Sequence, residues 1–348
     1  MGPSLIEPLS EIPTAPKVAQ LPKADLHVHQ EWFARLDRVL ARREGRAPYD
    51  WCGWARRLMD EVPPGMPRLR RLATVRPVAR EQDAEPENFV ARVEDLLDEA
   101  ATDGAVLVEV RFGSETVLRP GFMELFREAE RRVRERHPSL RAEAVVSLLL
   151  WYAPERVERL LRACLRAADE GLAGIDLLYE PYDTEAEWET AYRVAQRAAE
   201  EGLGVSAHAG EVSTANIAAV LQVPGLTRIG HGVYAASDPR LLELVAESGV
   251  TVECCPSSNV VLGAVTSYEE HPLRRFVEVG IPVALGSDDP VQVCTTIGRE
   301  YAVSAALGFL AEDLLEFTRS AIRALFVPRE RRERLLTELD DCRDTQRR

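Results

Sequence analysis

The sequence predicts a TIM-type (β/α)8 barrel, on three observations: eight short β-rich runs, amphipathic helical stretches between them, and glycines where helices should stop. The runs are Ala24 to His29, Ala105 to Phe112, Ala142 to Trp151, Gly174 to Tyr179, Gly204 to His208, Thr227 to Gly232, Val250 to Cys255 and Pro282 to Gly286. Eight such units close into a barrel more naturally than they form an open sheet. Glu87 to Ala101, Glu155 to Asp169, Glu185 to Glu201 and Pro239 to Glu247 carry apolar residues at three- and four-residue spacing, as core-facing helices require. Gly104, Gly171, Gly202, Gly249 and Gly280 stand where a left-handed cap would end a helix before the next strand.

Two stretches depart from the repeat. Residues 33–86 are too long for one helix and contain Trp51, Trp54, Pro63, Pro64 and Pro67, so extra helices are expected after the first strand. Loops that follow barrel strands form the active face, which makes this insertion a lid over the catalytic mouth. The charged tail from Pro328 to Arg348 is expected to be a helix with a frayed end and no catalytic part. A chain of 348 residues, 46% apolar, with no repeat or Gly/Ser-rich linker, suits one domain over 1–348.

Composition removes several function classes. A formal charge of -14 works against a phosphate-backbone partner, so nucleic acid is not expected. No apolar run reaches the roughly 18 residues of a membrane span, and the opening stretch lacks a leucine-rich signal core, so a cytoplasmic protein is expected. The six cysteines have no C-x-x-C spacing and are expected to be reduced and mostly structural. Lysine occurs only at Lys17 and Lys23, which excludes a Schiff-base aldolase and a metal pair bridged by a carboxylated lysine on a later strand. The oligomeric state is not legible.

Chemistry concentrates at the carboxyl ends of the expected strands. His27 and His29 lie two apart on the first strand and so share a face; His208 ends the fifth, His231 falls on the sixth, and Asp288 and Asp289 follow the eighth. One barrel histidine alone would read as a hydrogen-bonded core residue. The pair His27 and His29 with a third histidine and an aspartate from these strand ends makes a ligand set that a catalytic zinc accepts with room for water. The pair Cys254-Cys255 invites a thiolate reading, but no histidine stands in register to activate it.

The segments Pro22-Lys23-Ala24-Asp25-Leu26-His27-Val28-His29, His208-Ala209-Gly210-Glu211, Gly230-His231-Gly232 and Ser287-Asp288-Asp289-Pro290 resemble, in order, the four signatures of the adenosine deaminase family. Glu109 to Phe112, Cys255 to Asn259 and His271 to Arg275 are similar to secondary family segments. The resemblance implies one zinc per chain, held by His27, His29, His208 and Asp288, that lowers the pKa of its water toward neutrality for attack on an amino-bearing aromatic carbon. Glu211 would protonate the adjacent ring nitrogen, and His231 would orient the nucleophile. Asp289 would accept from the substrate ring or cap a helix opening at Pro290, and Gly210 would border the substrate.

The chain departs from the family pattern where the substrate is read. After the second histidine it has Gln30-Glu31-Trp32 in place of a residue, an aspartate associated with the ribose and a glycine. After the fourth strand Tyr179 replaces a glycine whose backbone meets the purine. Glu31, Trp32 and Tyr179 are therefore substrate-side candidates, and the resemblance implies deamination of an amino-purine nucleoside, a free aminopurine such as adenine, or a smaller amino-heterocycle. The alternatives are another mononuclear amidohydrolase or a non-catalytic nucleoside-binding relative. A cytidine-type deaminase is excluded, because the Pro-Cys-x-x-Cys segment that completes its zinc site does not occur.

Overall fold

The computed structural model describes residues 7, 9, 12–30, 34–74, 85–179 and 184–346. Eight parallel strands run in order around one sheet: β1 Lys23–His29, β2 Ala105–Gly113, β3 Arg141–Leu149, β4 Gly174–Leu178, β5 Gly204–Ala209, β6 Leu226–His231, β7 Thr251–Cys254 and β8 Val283–Leu285. Just beyond β8 the chain bridges back to β1: Val28 pairs with Asp288, Asp288 N donates to His27 O at 2.6 Å, and His29 N donates to Asp288 O at 2.9 Å. The result is a (β/α)8 barrel with helices between its strands.

Alternation along the strands separates two environments. On β1, Ala24, Leu26 and Val28 are buried toward the helical layer, where Ala24 N donates to the Tyr301 hydroxyl. Asp25, His27 and His29 occupy the alternate positions and point inward. Elsewhere the inward positions hold Glu109 and Arg111 on β2, Asp176 on β4, Arg228 on β6 and Glu253 on β7, all with no solvent exposure. This interior is far more charged than the branched aliphatic filling usual for such barrels. Each charge is paired: Arg111 with Glu253 at 2.5 Å and Asp176 at 3.6 Å, Arg228 with Glu253 at 3.0 Å and with Glu109.

The helices follow the sequence closely, with Pro86–Thr102, Pro154–Asp169 and Pro239–Ser248 within a residue of the expected bounds. The helix expected from Glu185 begins instead at Glu189, because the buried Trp188 precedes it with its indole nitrogen on Asn216 Oδ1 at 3.0 Å. All five glycines expected to cap helices take positive φ, from 70° at Gly249 to 100° at Gly171. The tail is the helix Arg329–Gln346.

Within the insertion three helices are described, Ala34–Glu44, Trp51–Glu61 and Met66–Ala73, while 75–84 lie outside the described residues. Leu58, Met66, Leu69 and Leu72 pack on Val261, Leu262 and Val293, beyond the carboxyl ends of β7 and β8. The Arg68 guanidinium donates to the carbonyls of Met59, Val62 and Val261, which fastens this layer to the catalytic face. Cys52 and Cys294 are joined by a disulfide across 242 residues, correcting the expectation of reduced cysteines. The lid folds one cysteine against the other, and no spacing in the chain announces that. Cys164, Cys254 and Cys255 are free and buried.

Candidate active site

At the carboxyl end of the barrel four imidazoles meet. His27 lies 4.6 Å from His208, 4.7 Å from His231 and 5.2 Å from His29, ring centre to ring centre. Asp288 Oδ1 stands 3.7 Å from His27 Nε2 and 3.6 Å from His29 Nε2. Three overlapping donor groups result, each with its ligand atoms within 4.8 Å: His27 with His208 and His231, His27 with His29 and Asp288, and Glu211 with His231 and Asp288. All six side chains are buried.

Local chain geometry puts them there. His231 and Asp288 take φ of 65° and 59°, conformations that cost a non-glycine residue about 1 kcal/mol or more and concentrate at functional sites. Gly210, φ 71°, turns the chain from His208 to Glu211; a Cβ there would meet Ile217 Cδ1 at 3.0 Å and Gly232 Cα at 3.1 Å. Two further glycines make room for His27. A Cβ at Gly230 would sit 2.7 Å from its Cε1, and one at Gly286 would sit 2.5 Å from its Cβ.

A buried cluster of imidazoles and carboxylates needs partners, and the hydrogen bonds around His27 show how it is held. His27 Nε2 faces the cluster, fully buried and without a hydrogen-bond partner, while its Nδ1 meets Glu253 Oε2 at 2.8 Å. Burial holds the His27 imidazole well below its ordinary pKa, and the Glu253 carboxylate accepts the hydrogen bond that Nδ1–H donates, which leaves Nε2 with a lone pair. On the neighbouring strand His208 Nδ1 lies 2.8 Å from Asp176 Oδ2. Ring nitrogens held by carboxylates on one side and open to a common centre on the other suit a metal ion. Ser258 Oγ donates to Asp288 Oδ2 at 2.5 Å, leaving Oδ1 toward the histidines.

Residues 22–342 match the model of the family described as adenosine deaminase. This chain belongs to the adenosine deaminase family. It is 34% identical over 261 residues to an adenine deaminase of Rhizobium leguminosarum, a match that spans 73% of this chain and 80% of the relative. The fold superposes on the apo N6-methyl-AMP deaminase of Arabidopsis thaliana with a TM-score of 0.74 at 21% identity, over 93% and 98% of the two chains. An amidohydrolase of Burkholderia ambifaria solved with bound zinc gives 0.74 at 20% identity, over 94% and 93%. As a member of this family the chain is a hydrolase of C–N bonds, a deaminase of amino-purine type whose barrel carries residues that could hold a metal ion. Among the described residues no helix is long and apolar enough to cross a membrane.

Within this deaminase the remaining candidates fall as follows. Glu211 Oε1 is 3.7 Å from His231 Nε2, and burial, then the Asp288 charge, pushes its carboxyl well above the ordinary range. His231 is pushed down to about 3 by burial, partly offset by Asp288, and is neutral. Asp289 is buried beside Asp288. No helix opens at Pro290: the chain turns there, and the next helix starts at Ile297 with Thr296 Oγ1 accepting from Arg299 N. The Tyr179 hydroxyl donates to Glu187 O at 2.7 Å and its ring packs 4.8 Å from Trp188, so the hydroxyl is committed outside the cluster. Glu31 and Trp32 lie outside the described residues. Burial drives the Cys254 and Cys255 thiols upward, away from thiolate chemistry.

Two carboxylates that hold the cluster imidazoles are not singled out by the sequence patterns. Glu253 stands in the apolar run Val250 to Cys255, and Asp176 in Gly174 to Tyr179. A charge inside a strand buried on both faces requires a buried partner, and that signal was available.

Proposed function

We propose that this one-domain barrel is a zinc-dependent deaminase acting on free adenine or an aminopurine of that size, converting it with water to the oxo-purine and ammonia. The observation that carries the reading is the meeting, in one buried cluster, of an orphaned imidazole nitrogen, three further imidazoles, Asp288 and the Glu211 carboxyl, which burial raises well above its ordinary pKa. His27, His29, His208 and Asp288 would hold one zinc ion, which would supply Lewis-acid activation of water at neutral pH.

The chain's own groups supply the rest. Glu211, whose carboxyl burial raises well above its ordinary pKa, hands its proton to the ring nitrogen beside the amino-bearing carbon, which makes that carbon electrophilic. His231, neutral and 3.7 Å from Glu211, faces the charge that develops on the attacking oxygen. Asp289 accepts from the ring and Gly210 lines the same side. In sequence, Glu31 and Trp32 replace a ribose-binding aspartate and a glycine of the family pattern, a replacement that favours a free base over a nucleoside. The adenine deaminase at 34% identity supports the same choice. Tyr179 is left out of the proposed set, since its hydroxyl is engaged by Glu187. A cytoplasmic location fits a small-molecule purine substrate, with no nucleic-acid or membrane partner.

Ammonia release from adenine, adenosine and 5′-AMP by zinc-loaded protein tests the reading. Adenine should give the highest kcat/KM by a wide margin. Preference for adenosine or AMP would overturn the free-base assignment, and silence toward every amino-purine would overturn zinc-dependent deamination.

A further inference from the structure

Two residues outside the ligand set connect to His231. His271 lies in the segment that leads into β8, and Asn259 in the short helix Pro256–Leu262 after β7. Leu273 N approaches His271 Nδ1 at 3.1 Å, His271 Nε2 approaches Asn259 Oδ1 at 3.1 Å, and Asn259 Nδ2 approaches His231 Nδ1 at 3.2 Å. All four residues are buried.

We propose that Asn259 and His271 are positioning residues that lock His231 in its Nε2–H tautomer, through a hydrogen-bond relay anchored on the backbone N–H of Leu273. The anchor gives the relay a single direction, because a backbone N–H can only donate. His271 Nδ1 must therefore accept. Burial pushes the His271 imidazole down to about 3, so the ring is neutral and its one proton sits on Nε2. That proton goes to Asn259 Oδ1, which fixes the amide with Nδ2 toward His231. An amide nitrogen donates, so His231 Nδ1 accepts and the His231 proton is left on Nε2.

The direction matters because Nε2 is the atom that faces Glu211 Oε1 and the centre of the cluster. With a proton there, His231 donates to an oxygen that is gaining negative charge. With the opposite tautomer it would present a lone pair to that oxygen and oppose the reaction. Asn259 is held by its own backbone, accepting from Ala264 N at 2.8 Å and donating to Cys255 O at 2.9 Å, so the amide sits on a fixed frame.

The part His231 plays in turnover rests on the proposed deamination, but the tautomer is read without substrate. The experiment is the nitrogen-15 spectrum of zinc-loaded full-length protein labelled at histidine, with the His231 signals identified by their loss in His231→Asn. The relay requires an unprotonated Nδ1 and a protonated Nε2 on His231. Asn259→Asp keeps the shape but can only accept from both imidazoles, so a proton should move onto Nδ1. kcat should then fall on the order of 100-fold with KM and zinc content little changed, the scale set by a wrong tautomer or a lost charge-stabilising donor. A wild-type His231 protonated at Nδ1 would overturn the relay whether or not Asn259→Asp folds. Unchanged tautomer and kcat in a folded Asn259→Asp would overturn it as well. If no amino-purine is turned over, the proposed reaction fails and the spectrum still decides the relay.

Discussion

Glu253 Oε2 lies 2.8 Å from His27 Nδ1, and the same carboxylate receives Arg111 at 2.5 Å and Arg228 at 3.0 Å. One side chain thus orients a cluster imidazole and closes the charge network beneath the site. Glu253→Gln keeps an acceptor for His27 but removes the charge. Zinc affinity should fall about 10- to 100-fold, as for other carboxylates that hold ligating histidines, measured by competition with a chelator of known affinity. Unchanged affinity would make Glu253 a purely structural partner of the two arginines.

Space at His27 is set by a missing methyl group. Gly230→Ala would bring a Cβ within 2.7 Å of His27 Cε1, a distance that side chains do not sustain. The ring must shift, so metal content and activity should drop together while the circular dichroism spectrum stays that of the folded barrel. Full metal content in this variant would show that the ring has slack.

The position of the histidines was the most legible part of the site, and the reason is periodicity. His27 and His29 sit two apart on a strand, so their common direction follows from strand geometry alone, and glycines such as Gly104 and Gly249 mark the barrel repeat. Glu253, Asp176, Asn259 and His271 act through partners on other strands or loops, and no local spacing expresses those contacts. The disulfide is the extreme case, with 242 residues between Cys52 and Cys294. The helix Glu189–Glu200 starts later than its sequence pattern predicts for a similar reason, since the Trp188 indole bonds Asn216, far along the chain.

Acid should weaken the fold in part through His271. Its imidazole is pushed from 6.5 down to about 3 by burial, so the unfolded chain takes up a proton that the folded chain refuses. The contribution is fully present above about 6.5 and is lost as pH falls toward 3; by pH 5 the loss amounts to on the order of 2 kcal/mol. Urea unfolding of wild type and His271→Gln at pH 7 and pH 5 isolates it, because the other buried histidines are common to both. The wild type should lose more stability across that interval, and equal losses would place the His271 pKa near its ordinary value.

The disulfide should be found by peptide mapping of unreduced protein as a single linked pair containing Cys52 and Cys294. Cys52→Ser should lower stability by about 2–4 kcal/mol, the usual range for a bond closing a long loop. The loss should appear first as protease cutting in the lid helices, since the bond ties Trp51–Glu61 to the loop beyond β8. Quantitative labelling of both thiols in unreduced wild type would contradict the pairing.

Proton transfer by Glu211 is the step on which the account turns. The most direct test is the rate of ammonia release from adenine by Glu211→Gln protein carrying the same zinc content as wild type. The account requires a fall of at least about 100-fold, the lower end of what general acid–base catalysis supplies. A rate within a few-fold of wild type, at equal zinc content, would contradict it.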